Sequence, residues 1–595
     1  MTLKELISLL LFRKMKHSKF FLILNILLAY SLFCTASSLT LIYDSVPDYK
    51  NLNVPKLTLA IKLKLTEMKL NSKSILIRHW YESHNFQPIW IQQPVNTLKI
   101  DTLFGFISHI DVHGLKPEQL DFRNISKLKD ELRKEKLTYW QLANLDIKIS
   151  GIYFEYCSGL KYGFINPGIF EAYHKSIQKP DYIFTDACFN AEKTHLLNFL
   201  SRLQPRTKSY LSLQAEKDNY KNFVDSTFTP IPLLRNNQII KLGDKQASVP
   251  LIARRLMITG ELPFDPDYRS SYQIFNRKLL KALNIFRIKT GLLIDEEIGN
   301  STISSLNVTF SEYINKINVN LERLRWIPLS PLGKKYIRVN VADMTLNAYK
   351  DDTVALNMKV CVGRPKNMTP LLQSKIFELV INPTWTIPSS IVIKEVAKIA
   401  SKDVTYFERN HIRVYLQEVE IDPSTVDWTK INANHQPYKL VQDSGKANSL
   451  GRIKFNFSNP FSVYLHDTNS KGAFKHHDRA ISHGCVRVEK PLELVNFCFP
   501  DLKPTYKSQI EKNDLLKDKI RYSINLGVIS KAGKDQLKSN PNSMKIKRIE
   551  LNPHIPIVMD YQTCFINSNR KIQFRDDIYR LDSLLNKQLV EFHIH

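Results

Sequence analysis

The sequence predicts a multidomain α+β protein in which helical regions precede a β-rich region. At 595 residues, the chain is too long for a single hydrophobic core. Apolar residues recur at helical spacing in the first half of the chain, and from about residue 335 they alternate with polar residues, as in strands. The composition, 43% hydrophobic and 24% charged, is typical of folded globular proteins and not of disordered chains.

The chain is basic, but its charge alone does not identify a partner. Its 84 Lys and Arg residues against 57 Asp and Glu residues give a net charge of +27. The excess is spread along the sequence without an RGG tract, a basic helix or zinc-finger spacing, so a nucleic-acid partner is not expected. A diffuse positive surface suits an anionic polymer or lipid headgroups, and a general lysine bias of the proteome explains it equally well.

Seven cysteines are sparse and their number is odd, which argues against a disulfide framework. None forms a CxxC pair, so neither thioredoxin-like redox chemistry nor a cysteine-rich zinc site is indicated. No cofactor and no metal are expected. At least one thiol is expected to be free; the cysteines stand at positions 34, 157, 188, 361, 485, 498 and 564.

Residues 1–43 are predicted to be a signal peptide or a membrane anchor. Basic residues precede Phe20–Tyr43, which contains no charged residue. As a helix, these 24 residues would be about 36 Å long, enough to cross a bilayer. Lipidation at Cys34 is disfavoured because Phe33 occupies the position before the cysteine, where a lipoprotein signal normally has a small residue. Either interpretation predicts export to the cell envelope.

Residues 75–242 are predicted to form a helical scaffold domain, because their apolar spacing is mainly helical between Pro and Gly breaks. The region contains no group of residues suited to catalysis. Its abundant aromatic residues are interpreted as core, among them Tyr81, Phe86, Trp90, Phe104, Tyr153, Phe154 and Tyr156.

Residues 250–312 are predicted to form a smaller helical module. Phe275, Leu279 and Phe286 repeat at helical spacing, and Gly291 stands where the helix would end. The following segment, GLLIDEEIGNSTISSLN, resembles the type 1 peptidoglycan-binding domain, a three-helix module. Its apolar residues are also those that any three-helix core needs.

A β-rich domain is predicted over residues 320–500. Ile337, Val339 and Val341 alternate with polar residues, and alternation resumes after a turn at 350–352, which predicts a hairpin. Residues 395–450 interrupt the strands and are interpreted as an inserted subdomain. A last segment, 505–595, is expected to pack with this domain.

A strand over 461–466 is predicted to place Phe461, Val463 and Leu465 on one face and therefore Tyr464 and His466 on the other. A histidine at a strand end, on the face away from the core, is well placed for chemistry.

Cys485 is the candidate nucleophile. A cysteine reacts as its thiolate and needs an imidazole nearby, which His466 supplies if the loop between them folds back. Gly484 allows a tight turn, and backbone N–H groups in the turn Ser482–Cys485 are suited to stabilise an oxyanion. Arg487 lies on the same side of a strand as Cys485 and is suited to bind a carboxylate.

The pattern His466-Asp467…Ser482-His483-Gly484-Cys485-Val486-Arg487 resembles the signature of YkuD-type L,D-transpeptidases. Further segments resemble the large multidomain Gram-negative branch of that family. Val488 replaces the Asn that is common in smaller members, a change that leaves the Cys–His pair intact. The resemblance implies a YkuD-like catalytic domain with a capping subdomain as its insertion; the further matching segments are 320–328, 362–370, 382–391 and 554–582.

The resemblance also implies a reaction. Cys485 would attack the third residue of a tetrapeptide stem of peptidoglycan and expel the terminal D-alanine, and an amine of a second stem would then form a 3→3 cross-link. Water as the acceptor would give carboxypeptidase activity. His466 would act as the base, oriented by the backbone carbonyl near Asp467 and assisted by His483. The implied location is the periplasm.

Substrate contacts are expected at Arg487 and Tyr464. Trp385 and Asn382 are expected either to line the groove or to serve structurally at a strand end. His476 and His477 are interpreted as solvated loop residues.

Two alternatives from other functional classes stay open. A zinc-dependent wall-peptide hydrolase would use His466, Asp467, His477 and Cys485, but the sequence has no HExxH and these residues lie on one irregular loop. A non-catalytic wall-binding protein would keep the helical module without chemistry, which an intact Cys–His pair disfavours. A papain-type peptidase is disfavoured because its cysteine precedes its histidine.

Overall fold

A computed structural model describes residues 45–500 and 546–593, apart from short gaps at 70, 93–94, 96, 175, 178–186, 188–195, 224–228, 327–332 and 446. The predicted signal peptide or anchor lies outside these residues. Within the described ranges, no helix is long and apolar enough to cross a bilayer. The chain forms two compact units: one comprises residues up to Phe164, Pro180–Gln204 and the end from Glu591, and the other comprises Ile165–Lys179 and Pro205–Val590.

The first unit is helical. Its longest helix begins after Thr138, whose hydroxyl accepts a hydrogen bond from the backbone N–H of Gln141, and it ends at Gly163. Buried Asp146 accepts hydrogen bonds from the Tyr81 hydroxyl and from three backbone N–H groups. The helices are α1 (Val54–Glu67), α2 (Ser72–Ser83), α3 (Leu98–Ser108), α4 (Phe122–Arg133), α5 (Tyr139–Tyr162) and α6 (Leu196–Leu200).

The second unit begins with further helices, three of which share one hydrophobic core. These three are α8, α10 and α11, and α10 ends at Gly291 in the left-handed conformation, as the sequence pattern indicates. The helices are α7 (Lys208–Lys221), α8 (Val249–Ile258), α9 (Tyr268–Ser271), α10 (Arg277–Thr290), α11 (Asn300–Leu306) and α12 (Phe310–Trp326).

A nine-stranded mixed sheet follows, and it closes on itself because β2 pairs with both β1 and β3. Closure leaves few unpaired edges, and the apolar face of each strand points into a common core. The strand order is β11-β3-β12-β10-β9-β4-β13-β1-β2; the strands are β1 (Lys335–Asn340), β2 (Thr345–Lys350), β3 (Thr353–Gly363), β4 (Leu372–Ile381), β9 (Ile453–Phe457), β10 (Leu465–His466), β11 (Ala480–Ser482), β12 (Val486–Val488) and β13 (Lys547–Asp560).

The predicted hairpin is a three-stranded meander. An additional strand, β2, lies between the two predicted ones, and the turn at Asp351 and Asp352 connects β2 to β3 with positive φ at both residues. The predicted strand over 461–466 is also shorter, because Ser462 has φ +54° and interrupts it. Phe461 is therefore exposed and does not join Val463 and Leu465 in the core.

The C-terminal segment completes the sheet. Strand β13 pairs with β4 on one side and with β1 on the other, so it lies inside the sheet. The sheet therefore extends beyond the predicted boundary at residue 500. The remaining elements are β14 (Cys564–Ile566), β15 (Ile572–Phe574) and a last helix, Leu581–Glu591.

A second, four-stranded sheet lies between β4 and β9 and has a hydrophobic core of its own. This inserted subdomain, residues 385–442, begins earlier than the predicted 395–450. Its strands are β5 (Trp385–Thr386), β6 (Ile412–Leu416), β7 (Val419–Ile421) and β8 (Tyr438–Gln442), in the order β5-β8-β6-β7. Its short helices are Ser389–Ile391, Val392–Val396, Ala397–Ala400 and Tyr406–Arg409.

In the main sheet, a helix over Pro491–Cys498 follows β12. The α+β class and the helical N-terminal region are confirmed.

Candidate active site

Cys485 and His466 lie on neighbouring parallel strands. In the register of β10 with β12, Leu465 pairs with Val486 and His466 pairs with Arg487, and Cys485 directly precedes β12. Leu465 and Val486 point into the core. Because side chains alternate along a strand, His466, Cys485 and Arg487 share the opposite face. On that face, His466 is level with Arg487, and Cys485 lies in the neighbouring cross-strand row.

The ring of His466 has a fixed orientation. Its Nδ1 is 2.5 Å from the backbone carbonyl oxygen of Asp467, to which it donates a hydrogen bond. Nε2 then carries no proton and is available as an acceptor. Burial lowers the pKa of His466 to about 3, and the positive charges of Arg487 and Lys454 add to this effect. The imidazole is therefore neutral at pH 7, the form that a general base requires.

Asp467 holds the loop that orients His466. Its carboxylate accepts a hydrogen bond from the backbone N–H of Arg452 at 2.9 Å and forms an ion pair with Lys471. Gly451 fits against this carboxylate: a Cβ atom there would lie 2.4 Å from the Cγ of Asp467, and the glycine has φ +60°. The carboxylate thus fixes the loop, while the backbone carbonyl of the same residue accepts the hydrogen bond of the imidazole.

Ser482 closes the turn before the nucleophile. Its hydroxyl donates to the Cys485 carbonyl at 2.6 Å and accepts from the Gly484 N–H at 3.1 Å. Gly484 has φ +121°, a conformation that residues with a side chain rarely adopt. The Gly484 N–H is directed at the Ser482 hydroxyl, and the N–H of Cys485 is a candidate oxyanion donor.

A second set of hydrogen bonds, through Thr369 and Tyr579, holds the turn at Gly484 in place. The sequence pattern did not identify these residues. The Thr369 hydroxyl donates to the Gly484 carbonyl at 2.9 Å and accepts from the Gly363 N–H at 2.8 Å. The Tyr579 hydroxyl donates to the Gly363 carbonyl at 2.6 Å and accepts from the Thr369 N–H. A Cβ on Gly363 would lie 2.0 Å from the carbonyl oxygen of Asn367, so only glycine fits there.

The thiol of Cys485 is protonated at rest. Burial raises its pKa, and the backbone and hydroxyl of Tyr464, followed by Lys454 and Arg487, act in the opposite direction. Its Sγ lies 3.9 Å from the carbonyl oxygen of Ser462. Thiol and imidazole are thus both neutral, so the site is suited to remove the thiol proton during attack instead of holding a preformed ion pair.

Tyr464 connects the nucleophile to the inserted subdomain. Burial, and then the neighbouring Cys485, raise the pKa of its hydroxyl, which interacts with both the thiol and the Trp385 side chain. Its ring centroid is 5.6 Å from that of His466, edge to face. The structure therefore brings Tyr464 to the nucleophile and Trp385 to Tyr464. Trp385 is only partly buried.

Asn382 has a structural position. It directly follows β4, is buried, has φ +51°, and donates its backbone N–H to the Arg452 carbonyl at 2.8 Å. Asparagine tolerates this left-handed conformation better than most residues. The residue thus ends β4 and connects it to the segment preceding β9, which favours the structural interpretation over a groove-lining one.

His483 has its observed partner in the inserted subdomain. Its Nε2 is 2.6 Å from Oε1 of Glu395, in the π-helical turn of the inserted subdomain, and Arg364 lies 3.7 Å from the same oxygen. Gly484, with φ +121°, separates His483 from Cys485 in the chain. His483 therefore joins the main sheet to the insertion.

The residues required for a zinc site do not converge. The His477 imidazole contacts the backbone carbonyl of Gly291, and Asp467 is already paired with Lys471. Across the part of the chain that the structure describes, no three His, Cys, Asp or Glu side chains are grouped as metal ligands would be. His476 is exposed.

Residues 334–504 match the YkuD family model, which describes an L,D-transpeptidase catalytic domain. The chain therefore contains a YkuD-type L,D-transpeptidase domain. Residues 76–216 match a second model, a scaffold domain, within the predicted helical region. A Haemophilus influenzae protein named as a candidate L,D-transpeptidase is 34% identical over 210 residues, which are 35% of this chain and 41% of that protein. The match thus spans about two fifths of the relative's length.

Two solved structures show weaker similarity. An L,D-transpeptidase from Mycobacterium smegmatis has 13% identity and a TM-score of 0.16, and it covers 38% of this chain and 58% of its own. The Ldtfm–avibactam carbamoyl enzyme has 14% identity and a TM-score of 0.15, covering 27% and 42%. Similarities at this level carry no weight for the fold or the activity of this L,D-transpeptidase-domain protein.

Proposed function

We propose that this protein is an L,D-transpeptidase that forms 3→3 cross-links in peptidoglycan through a thioester on Cys485. The observation that carries the proposal is the placement of Cys485 and His466 on one face of two adjacent parallel strands, with Nδ1 of the imidazole bound to the Asp467 carbonyl. This arrangement supplies a nucleophile, a base with its acceptor nitrogen free, and a turn that fixes the nucleophile's backbone.

In the first half-reaction, Nε2 of His466 accepts the thiol proton as Sγ of Cys485 attacks the carbonyl of the third residue of a tetrapeptide stem. The C–S bond forms and the carbonyl oxygen becomes an oxyanion, which the Cys485 N–H stabilises. The imidazolium then gives its proton to the leaving nitrogen, the C–N bond breaks, and D-alanine departs. A neutral thiol and a neutral imidazole suit this concerted transfer.

In the second half-reaction, the side-chain amine of another stem attacks the thioester. His466 removes a proton from the attacking nitrogen and returns it to the departing sulfur, so that the thiol is regenerated and a 3→3 amide results. Water in place of the amine gives a tripeptide, which is carboxypeptidase activity. The inserted subdomain, connected to the site through Tyr464–Trp385 and His483–Glu395, would restrict the entry of water and favour the amine.

The rest of the chain would hold this chemistry at the cell wall. The scaffold domain and the three-helix module of α8, α10 and α11, which resembles a peptidoglycan-binding domain, would position the catalytic domain on its polymer. The net charge of +27 would favour contact with anionic envelope components. A location in the periplasm or cell envelope follows from the substrate.

The test is to incubate the full chain with tetrapeptide muropeptides and to analyse the products by mass spectrometry. The proposal predicts dimers formed with loss of one alanine from the donor, and few tripeptide monomers. Cys485→Ala should give neither product while its circular dichroism stays that of the wild type. A protein that binds muropeptides but leaves their masses unchanged would favour the non-catalytic alternative.

A further inference from the structure

A row of basic residues crosses the outer face of the closed sheet beside the nucleophile. The strand registers align Arg487, His466, Lys454, Val380 and Arg548 in a single cross-strand row over β12, β10, β9, β4 and β13. Residues in register point to the same face of a sheet. The row therefore places three basic side chains, Arg487, Lys454 and Arg548, on the face that carries the catalytic imidazole.

The outward direction of Lys454 follows from its neighbours. Ile453 and Phe455, which flank it on β9, are buried in the sheet core. Lys454 is only partly buried, and its Nζ lies 3.9 Å from the ring centroid of Tyr464, the residue that contacts the thiol. The ammonium is thus held beside the nucleophile by a cation–π contact.

Two of the three cations form no ion pair among the described residues. Burial lowers the pKa of Lys454, while the nearby charge of Glu378 acts to raise it. Arg548 is paired with Glu378 at 3.1 Å. Within the described part of the chain, neither Lys454 nor Arg487 forms an ion pair, and the buried Nε of Arg487 has no hydrogen-bond acceptor. Partly buried cations and buried donors are normally paired, because leaving them unpaired costs free energy. Their side chains flank His466 on both sides, so an anion bound between them would lie next to the reaction centre.

We infer that Lys454 and Arg487 together bind a substrate carboxylate, and that this carboxylate is the C-terminal one of the donor peptide. The inference rests on the proposed function. Removal of the last residue of a stem places the terminal carboxylate within one residue of the attacked carbonyl, a span of about 3.5 Å along the chain. On this face of the sheet, the row that contains Lys454 and Arg487 is next to the row that contains Cys485, a separation that matches this span. The cation pair would therefore select donor peptides that end at the residue to be expelled.

A different role for Lys454 makes a different prediction. An ammonium that only lowered the pKa of the Cys485 thiol would speed the reaction with every electrophile equally. An ammonium that binds a carboxylate speeds the reaction only with electrophiles that carry one. Iodoacetate and iodoacetamide separate the two roles, because both place the same CH₂–I carbon before the sulfur and differ in the carboxylate. In each case the C–S bond forms, iodide leaves and the thiol proton passes to the base.

The experiment measures alkylation of Cys485 by both reagents in the full chain, in Lys454→Met and in Lys454→Arg, by mass spectrometry of the labelled peptide. We expect the iodoacetate to iodoacetamide rate ratio to fall about tenfold in Lys454→Met, the usual effect of losing one hydrogen bond to a charged group, and to recover largely in Lys454→Arg. Lys375→Met, an exposed lysine on β4, is the matched control for the change in net charge and should keep the wild-type ratio. An unchanged ratio in Lys454→Met, or an equal loss with both reagents, would overturn the carboxylate site.

A second measurement uses tetrapeptide donors that end in a free carboxylate or in a carboxamide. Lys454→Met should raise the KM for the acid donor about tenfold and change the KM for the amide little. Equal effects on both donors would reject the carboxylate site while leaving the transpeptidase proposal standing. If the wild type turned over neither donor, the proposed function would fail, and the alkylation ratios would still decide whether the cation pair binds a carboxylate.

Discussion

Gly451→Ala is expected to disturb the catalytic histidine without touching it. The new Cβ would lie 2.4 Å from Cγ of Asp467 and 2.6 Å from the backbone nitrogen of Thr468, so the Asp467 loop must move. A φ of +60° costs a residue with a side chain about 1–2 kcal/mol, and forced overlap typically costs about 1–3 kcal/mol more. The expected loss of stability is therefore about 2–5 kcal/mol. Displacing the Asp467 carbonyl also releases Nδ1 of His466.

The matched control is Gly260→Ala. Gly260 has φ +83° with no atom within 4 Å of its ideal Cβ, so the conformational cost applies there without the overlap. The assay combines guanidinium unfolding with the rate of thioester formation, measured by mass spectrometry of the intact protein. We expect Gly451→Ala to unfold at lower denaturant than Gly260→Ala and to acylate at least about tenfold more slowly, since even small misplacement of a catalytic group is costly. Equal stability and equal acylation in the two variants would refute this account of the loop.

Three further predictions concern the base, its titration and the insertion. His466→Ala should slow turnover about 10²–10⁴-fold, the usual effect of losing a general base, and a rate within a few-fold of wild type would require another base. Because burial holds the His466 pKa at about 3 and raises that of Cys485, the acylation rate should be flat from about pH 5 to 8; an inflection near 6.5 in stopped-flow acylation would contradict this. Replacing the inserted subdomain, residues 385–442, by a Gly/Ser loop should preserve acylation and shift products from cross-links to tripeptides, and an unchanged product ratio in mass spectrometry would make the insertion purely architectural.

The local parts of the site could be predicted from the sequence. The nucleophile, its turn and the orienting residue lie within 467–487. Alternation along each short strand was enough to put Tyr464 with His466 and Cys485 with Arg487, whereas the pairing of His466 with Arg487 required the register of the two strands. The helical N-terminal region was equally predictable, because its spacing repeats over many turns. Each of these features depends on neighbours in sequence, which a single chain displays directly.

The rest depends on pairings across long sequence distances. Lys454 enters the site only through the register of β9 with β10, and the contact of His483 with Glu395 joins residues 88 positions apart. Strand β2 was missed because Thr345–Lys350 is short and places only two apolar residues, Leu346 and Ala348, in the core. No local pattern indicates that β13 lies between β4 and β1, since its partners are more than 160 residues away.

The central claim is that Cys485 carries the peptide during turnover. The most direct measurement is mass spectrometry of the enzyme quenched during reaction with a tetrapeptide donor and then digested, with EDTA present in a parallel sample. The account predicts a tripeptidyl adduct on the peptide that contains Cys485, formed at the same rate with and without EDTA. An adduct on another residue, or turnover that stops with EDTA and returns with Zn²⁺ while Cys485 stays unmodified, would contradict it.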